Sequence, residues 1–210
     1  MGNLSRCQNA YQIDPIKGSM VVLFFQNTQA IPKPKLYAFI DKKESSGTYK
    51  EFDTQRISIE KDSSTVAFCS YLFTKEGSYR ITFANVEKKE IHHAFLSISF
   101  KTNIVFCEQI DSADLPIDYK NKFKLKIKTG IDIYSFLKTS SSMNCNSISH
   151  TIYKHNGKDY SILLSNDIFA VKPDWEYTYI RANYREAGKY KVVISTDTNK
   201  ILGFNYLEIK

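Results

Sequence analysis

Histidines are the first residues of this chain that could do chemistry, because paired imidazoles can ligate a metal ion. His92 and His93 are adjacent in a segment that is expected to be a strand. Successive side chains of a strand point to opposite faces, so these two cannot bind one metal ion together. His150 and His155 lie far away in the sequence. We therefore expect no metal site.

Four cysteines are the next candidates, as metal ligands or as nucleophiles: Cys7, Cys69, Cys107 and Cys145. They lack the C-x-x-C spacing of structural zinc sites. A nucleophilic cysteine needs a positioned histidine. Cys145 and His150 are close only within a flexible loop, and we interpret their proximity as chance. We expect free thiols, because a chain of this length does not need disulfides.

Enzyme signatures are absent from the sequence. It contains no G-x-S-x-G, P-loop, G-x-G-x-x-G or EF-hand pattern. No spacing of Asp and Glu points to a catalytic carboxylate pair. We predict that the chain is not an enzyme and uses no cofactor.

A cluster of aromatic residues could bind a ligand. Trp175, Tyr177 and Tyr179 alternate along one predicted strand and so lie on one face, with Arg181 beyond them. One interpretation is a platform on which sugars stack. The other is core packing, which an internal repeat favours for Tyr177 and Tyr179 because they match the apolar Val66 and Phe68. Trp175 matches Ser64 at an edge, so Trp175 and Arg181 are the candidate binding residues.

The charge of the chain permits two interpretations. The 210 residues carry a formal net charge of +7, with a pI near 9.1. An anionic partner is one explanation. The other is that lysines line exposed strand faces, as in Phe123–Lys128, where they alternate with apolar residues. We favour the second and expect no nucleic-acid partner, because the basic residues are dispersed and no arginine cluster occurs.

Targeting signals leave the location open. No stretch approaches the ~18 apolar residues that a membrane-spanning helix needs. Val21–Phe25 is too short for a signal peptide, and Leu4–Cys7 resembles a lipoprotein cleavage site without the preceding apolar run. We expect an extracytoplasmic protein, periplasmic or on the cell surface, if a leader was removed. The alternative is a cytoplasmic location.

An internal repeat organises the chain. Tyr71–Phe83 recurs as Ala182–Ile194 at an offset of 111 residues. The matched positions include Gly77 with Gly188 and Tyr79 with Tyr190. The repeat predicts two domains, 1–101 and 102–210, related by duplication. Cys7 and Cys107 are only 100 positions apart, whereas the later repeat has an offset of 111. The second domain should therefore carry about eleven extra residues, most of them in the loop Thr139–His150.

Short apolar segments separated by turn signals predict strands throughout, without a convincing helix. Met20–Gln26 is expected to be buried on much of both faces, and Asp111–Asn121 to be a loop that could hold a helical turn. In the first domain we predict strands at Arg6–Ile13, Met20–Gln26, Leu36–Asp41, Tyr49–Phe52, Arg56–Ile59, Thr65–Phe73, Ser78–Val86 and His92–Phe100. In the second we predict Ile104–Gln109, Phe123–Lys128, Ile131–Leu137, Ile148–Lys154, Tyr160–Leu164, Ile168–Val171, Trp175–Tyr184, Lys189–Thr196 and Leu202–Ile209. The pattern indicates two tandem β-sandwiches.

One motif carries a resemblance to a known class. Phe73–Ile81 and Tyr184–Val192 both read aromatic-x3-Gly-x-Tyr-x-(Ile/Val). This resembles the penultimate strand of immunoglobulin-like modules, including the polycystic-kidney-disease (PKD) type and related bacterial repeats. The resemblance implies an all-β fold of two tandem immunoglobulin-like β-sandwich domains. It also implies that each Gly makes a tight turn and each Tyr packs at the corner between the sheets.

Three functions remain after these exclusions. The first is a non-enzymatic binding or adhesion module of a bacterial surface or periplasmic protein, which recognises protein or glycan through loops. The second is a structural spacer without a ligand. The third is a two-domain periplasmic assembly chaperone of the pilus type, which would bind subunits through a sheet edge.

Overall fold

The computed structural model describes residues 9–31, 35–59, 64–126 and 129–210. The chain divides into two compact units, Met1–Lys101 and Thr102–Lys210. Each unit has its own cluster of buried apolar residues. Within the described ranges the regular elements are all β-strands.

The first unit contains seven strands: β1 (Ala10–Ile13), β2 (Ser19–Gln26), β3 (Lys35–Lys43), β4 (Tyr49–Ser58), β5 (Val66–Phe73), β6 (Gly77–Ala84) and β7 (Glu90–Phe100). Five of them form a sheet in the order β1-β7-β6-β3-β4, and β2 pairs with β5 in a second sheet. β1 is parallel to β7, and the other pairs are antiparallel.

The second unit contains ten strands: β8 (Ile104–Cys107), β9 (Gln109–Ile110), β10 (Pro116–Ile117), β11 (Lys122–Phe123), β12 (Ile131–Lys138), β13 (Ser147–Lys154), β14 (Ile162–Ala170), β15 (Tyr177–Tyr184), β16 (Gly188–Thr196) and β17 (Ile201–Ile209). One sheet has the order β11-β17-β16-β13-β14, and the other has the order β15-β12-β8. β9 and β10 form a small hairpin.

The strand order identifies the fold as immunoglobulin-like. In each unit a short strand, β1 or β11, runs parallel to the last strand, and the five-stranded sheet faces a smaller antiparallel one. The expected all-β, immunoglobulin-like fold class is confirmed. A common strand order is what an internal duplication predicts, and the duplication itself stays a prediction.

Alternation along the strands builds the core of each sandwich. In β16, Tyr190, Val192 and Ile194 point inward and are at most 2% exposed, whereas the residues between them are partly exposed. Side chains of period two face one side of a strand. Burying each such side chain stabilises the fold by roughly 1.5–3 kcal/mol.

Matching tyrosines close the corner between the sheets of both units. The Tyr79 hydroxyl donates to the Lys75 carbonyl at 2.8 Å, and the Tyr190 hydroxyl donates to the Glu186 carbonyl at 2.7 Å. Both rings are at most 2% exposed. This bond to a backbone carbonyl a few residues upstream is the tyrosine corner of immunoglobulin-like sandwiches.

Two pairs of predicted strands are single strands in the structure. Tyr49–Phe52 and Arg56–Ile59 are joined in β4, and Tyr160–Leu164 and Ile168–Val171 are joined in β14. Each joined strand lies at the edge of its five-stranded sheet and pairs through a bulge or irregularity. An edge strand keeps polar residues exposed in mid-strand, and such residues look like a turn in the sequence.

Other strand predictions were wrong in detail. Met20–Gln26 is not buried on both faces, since Met20 and Val22 are 62% and 57% exposed. Of the predicted strand Phe123–Lys128, only Phe123 lies in a strand, β11, and residues 127–128 lie outside the described residues. Asp111–Asn121 holds part of the β9–β10 hairpin, not a helical turn.

The expected place of the extra residues was also wrong. The β2–β3 and β12–β13 connections both have eight residues, 27–34 and 139–146. The loop after β12 is therefore no longer than its counterpart. Additional chain lies instead between β8 and β11, where the β9–β10 hairpin is found. Cys7 and parts of two predicted breaks, residues 32–34 and 61–63, lie outside the described residues.

Candidate ligand-binding groove

The outer face of β15 carries the aromatic residues. Tyr177 and Tyr179 are 41% and 39% exposed, so the expectation that they belong to the core was wrong. Their matches in the first unit, Val66 and Phe68, are 39% and 64% exposed. The repeat therefore pairs outer residues with outer residues.

Strand parity explains this correction. Tyr184 is 4% exposed and packs in the core, as does Ile180. Tyr177 and Tyr179 stand an odd number of residues from Tyr184, so they point to the opposite face. This parity was present in the sequence and could have placed them outside.

Neighbouring rings from β12 support the two tyrosines. Phe136 stacks against Tyr177 with ring centroids 5.7 Å apart and an interplanar angle of 18°. Tyr134 meets Tyr179 edge to face at 5.9 Å. Such ring pairs add about 0.5–1.5 kcal/mol each beyond the burial of their area. The outer face of β15 is thus fixed by aromatic packing.

The β9–β10 hairpin reaches this same face. The Tyr179 hydroxyl donates to Asp114 Oδ1 at 3.0 Å, and this hydrogen bond raises the pKa of Tyr179. The Asp111 carboxylate shapes the hairpin turn by accepting the N–H groups of Ala113 and Leu115, both at 2.8 Å. Asp114 therefore presents its carboxylate beside Tyr179, although the two residues are 65 positions apart.

A groove of about 470 Å³ lies between the edge strands β14 and β15. Its lining includes Asp114, Phe169, Trp175, Glu176, Tyr177 and Tyr179. Four aromatic residues and two acidic residues thus line one concavity. A mostly apolar cleft with a few polar groups is the usual form of a small-ligand site.

Backbone hydrogen bonds hold Trp175 in position. Its carbonyl accepts the Met143 N–H at 2.8 Å, and its own N–H donates to Lys172 at 3.1 Å. The Thr139 N–H donates to the Glu176 carbonyl at 2.8 Å. The side chain of Met143 is only 5% exposed, and its burial anchors the β12–β13 loop next to Trp175. Trp175 itself stays 38% exposed, with the Lys172 ammonium 6.0 Å from its ring centroid.

Arg181 lies outside the lining of the groove. Its Nη2 is 2.8 Å from Asp132 Oδ2, and Asn183 Nδ2 donates to Asp132 Oδ1 at 2.9 Å. The hydrogen bond from Asn183 and then the contact with Arg181 lower the pKa of Asp132. The structure therefore brings Trp175 together with the tyrosines and leaves Arg181 in a surface ion pair. Its role in binding stays a prediction.

A second, polar concavity lies between two loops of the same unit. It measures about 390 Å³ and is lined by the β12–β13 and β16–β17 loops, including Ser140, Ser141, Asp197 and Lys200. The corresponding loops form part of the antigen-binding end of antibody variable domains. Because the β12–β13 loop also bonds to Trp175 and Glu176, this pocket adjoins the groove.

Histidines and cysteines occupy other environments. His93 Nδ1 lies 2.7 Å from Glu90 Oε1 at the surface, and buried His150 Nε2 lies 3.1 Å from Ser135 Oγ. Burial raises the pKa of the Cys69, Cys107 and Cys145 thiols, which are free. In residues 9–31, 35–59, 64–126 and 129–210, no group of three His, Cys, Asp or Glu side chains could hold a metal ion.

Comparisons with known proteins give only remote likenesses. No protein-family model and no curated protein matches the chain. Similar solved structures include trypsin-activated alpha-2-macroglobulin from Escherichia coli (9% identity, TM-score 0.33), CBD12 from CALX1.2 (9%, 0.29) and red sea bream transglutaminase (11%, 0.33). The three alignments cover 95–96% of this chain. They cover 15%, 96% and 30% of the three solved chains, in the order given. These likenesses carry no argument about function. Over the described part of the chain, no helical segment could span a bilayer.

Proposed function

We propose that the chain is a non-enzymatic recognition module whose second unit binds a glycan in the groove between β14 and β15. The observation that carries the proposal is the shared exposure of Trp175, Tyr177 and Tyr179 along that groove. Flat aromatic faces offer negative potential to the C–H groups of a sugar ring. Large rings left in contact with water on a concave surface are suited to such stacking.

Polar groups at the groove complement the hydroxyls of a sugar. Asp114 and Glu176 are among its lining residues, and ionised carboxylates only accept hydrogen bonds. Sugar hydroxyls can donate to them while a ring face stacks on the aromatic side chains. Two carboxylates also repel anionic groups, so the ligand class is a neutral or amino sugar.

Contacts with neighbouring residues hold the groove in shape. Phe136 supports Tyr177, Asp114 accepts from Tyr179, and the backbone of Trp175 is bonded on both sides. A site that is formed in advance avoids the entropic cost of ordering side chains on binding. This favours recognition over the spacer function, which needs no preformed site.

The proposal includes an extracytoplasmic setting on a bacterial surface or in the periplasm. The motif that resembles PKD-type and related bacterial repeats supports this setting, since such modules bind or space surface proteins. A chain of two tandem sandwiches suits that use. The glycan proposal depends on the groove alone and stands apart from the location.

A glycan array probed with the purified chain tests the proposal. We expect binding to neutral or amino-sugar glycans, and at least a tenfold loss in Trp175→Ala and Tyr177→Ala. Phe204→Ala is the matched control, because Phe204 is 50% exposed but lies on β17 of the other sheet. Equal binding by all variants, or binding only to proteins, would contradict the proposal.

A further inference from the structure

The outer face of the two-stranded sheet in the first unit is apolar. Its outward residues alternate with buried ones along β2 and β5. Six of these eight outward residues are large and apolar: Met20, Val22, Phe24, Val66, Phe68 and Leu72. Phe68, Met20 and Val22 are 64%, 62% and 57% exposed. The other two are Gln26 and Ser70, so the whole face is uncharged.

The second unit shows that the fold does not require an apolar face at this place. Three outward positions match across the repeat: Met20 with Asp132, Ser70 with Arg181, and Leu72 with Asn183. In the second unit, Arg181 Nη2 and Asn183 Nδ2 lie 2.8 Å and 2.9 Å from the Asp132 carboxylate. The same surface of the same fold therefore carries a polar network in one unit and mostly apolar side chains in the other.

The size of the apolar face suits a pair of chains. β2 and β5 have eight residues each, and a rise of about 3.3 Å per residue makes the face roughly 25 Å long. Its exposed apolar area is on the order of 500 Å², at the upper end of what a monomer leaves open to water. Two copies placed face to face would remove about 1,000 Å² from water in total, the lower limit for a specific interface. A weak, concentration-dependent dimer is therefore expected.

The relief of the face is complementary to itself. Phe24 and Phe68 are strand partners and form a ridge, and the next outward pair, Val22 and Ser70, forms a trough of smaller side chains. A two-fold axis between ridge and trough would place the ridge of each copy on the trough of the other. Because all eight outward residues of β2 and β5 are uncharged, no like charges would meet across the axis.

Residues 1–8 lie outside the described residues. The match of Cys7 with Cys107 predicts that this segment continues the sheet beside β2, as β8 continues it beside β12. A strand in the plane of a sheet widens the outer face and does not cover it. Tyr179 illustrates this in the second unit, since it stays 39% exposed on a sheet that contains β8.

We propose that the chain forms a two-fold symmetric dimer through the outer faces of β2 and β5. Removal of apolar surface from water drives the association, against the cost of lost translational and rotational freedom. The contact lies in the first unit and is independent of the glycan proposal.

Sedimentation equilibrium of the full chain tests the proposal. We expect an average mass that rises with concentration and levels off at twice the 24.2 kDa of one chain. Phe68→Asp should weaken the association at least tenfold, because it places unpaired carboxylates in an apolar contact. Phe95→Asp is the control, because Phe95 is 53% exposed on β7 of the other sheet. A chain that stays monomeric at millimolar concentration would overturn the proposal, as would equal association by the two variants.

A second variant copies the polar network of the second unit. Met20→Asp, Ser70→Arg and Leu72→Asn together place the matching residues on the first unit, so the fold should tolerate them while the dimer is lost. Association that survives this triple exchange would overturn the proposal, because the contact would then lie elsewhere. A chain that begins at Asn9 should dimerise as the full chain does. Dimers seen only after removal of residues 1–8 would also overturn the proposal, because those residues would then cover the face in the full chain.

Discussion

The hydroxyl of Tyr179 donates a 3.0 Å hydrogen bond to Asp114, and this bond joins the β9–β10 hairpin to the aromatic face of β15. The bond sets the position of one carboxylate in the proposed glycan groove. It also couples a hairpin of only two short strands to a rigid sheet. The order of the hairpin and the affinity of the groove should therefore change together.

Replacing this hydroxyl tests the coupling. Tyr179→Phe should speed amide hydrogen exchange at Ala113 and Leu115, because the lost hydrogen bond stabilises the hairpin by about 0.5–1.5 kcal/mol. The same variant should weaken glycan binding. Tyr177→Phe is the control, because it keeps the ring stacked on Phe136. Exchange rates that are unchanged in Tyr179→Phe would show that the hairpin is held by other contacts.

The two tyrosine corners should contribute equally to their units. Tyr79→Phe and Tyr190→Phe each remove a bond to a backbone carbonyl. We expect each variant to lower the free energy of unfolding by about 1 kcal/mol. Urea denaturation measures this change. A neutral effect at both positions would mean that the corner bonds only replace bonds to water.

Two glycines ahead of β2 and β12 are predicted to resist substitution. Gly18 and Gly130 have φ angles of +69° and +71°, and an added Cβ would lie 2.3 Å from the Phe73 carbonyl oxygen and 2.6 Å from that of Tyr184. Backbone cannot move aside as a flexible side chain can. Gly18→Ala and Gly130→Ala should each destabilise their unit by about 2–4 kcal/mol.

Gly47 provides the matched control for these two glycines. Its φ is +88°, but no atom lies within 4 Å of an added Cβ. Gly47→Ala should cost only about 1 kcal/mol, the strain of a left-handed backbone for an L-residue. Thermal unfolding of the three variants compares the costs. Equal losses of stability in the three variants would show that the left-handed backbone, and not the steric contact of the added Cβ, causes the destabilisation.

Buried His150 predicts a pH dependence of stability. Burial lowers the pKa of His150 to about 4, against about 6.5 in an unfolded chain. Between these values the unfolded state binds a proton that the folded state does not. The stability is therefore complete above pH ~6.5 and falls by up to about 3 kcal/mol as the pH drops toward 4.

The first unit suggests a control for this prediction. Leu23 and Ala38 stand where Ser135 and His150 stand in the second unit, and both are buried. A chain with Ser135→Leu and His150→Ala should lose less stability between pH 7 and 4.5 than the natural chain. Urea denaturation followed at Trp175 reports on the second unit. If the free energy of unfolding changed equally with pH in the two chains, His150 would not be the source of the pH dependence.

Part of the fold could be predicted because its signals are local. The glycines and tyrosines at 77, 79, 188 and 190 indicated the corner, and the structure places Tyr79 and Tyr190 there. Alternation gave the type and approximate position of most strands. Which face of a strand lies outward depends on the elements that pack against it, and this information is not local. Met20–Gln26 was expected to be buried on both faces because its outward-facing residues are also uncharged.

Most of the candidate groove could not be predicted for a related reason. Trp175 was found because it matched an edge position of the repeat. Asp114 had no signal, since only the folded hairpin brings it to Tyr179 across 65 residues. Tyr177 and Tyr179 were assigned to the core because their matches are apolar, yet those matches are themselves exposed.

The fluorescence of Trp175 tests the glycan proposal most directly. Trp175 is the only tryptophan of the chain, so its emission reports on the groove without background from other tryptophans. Titration with a glycan identified on the array should shift or quench this emission, saturating at the dissociation constant that calorimetry gives. The glycan should also protect Trp175 from quenching by acrylamide. Glycan binding in calorimetry with no change in emission and no protection would contradict a site at Trp175.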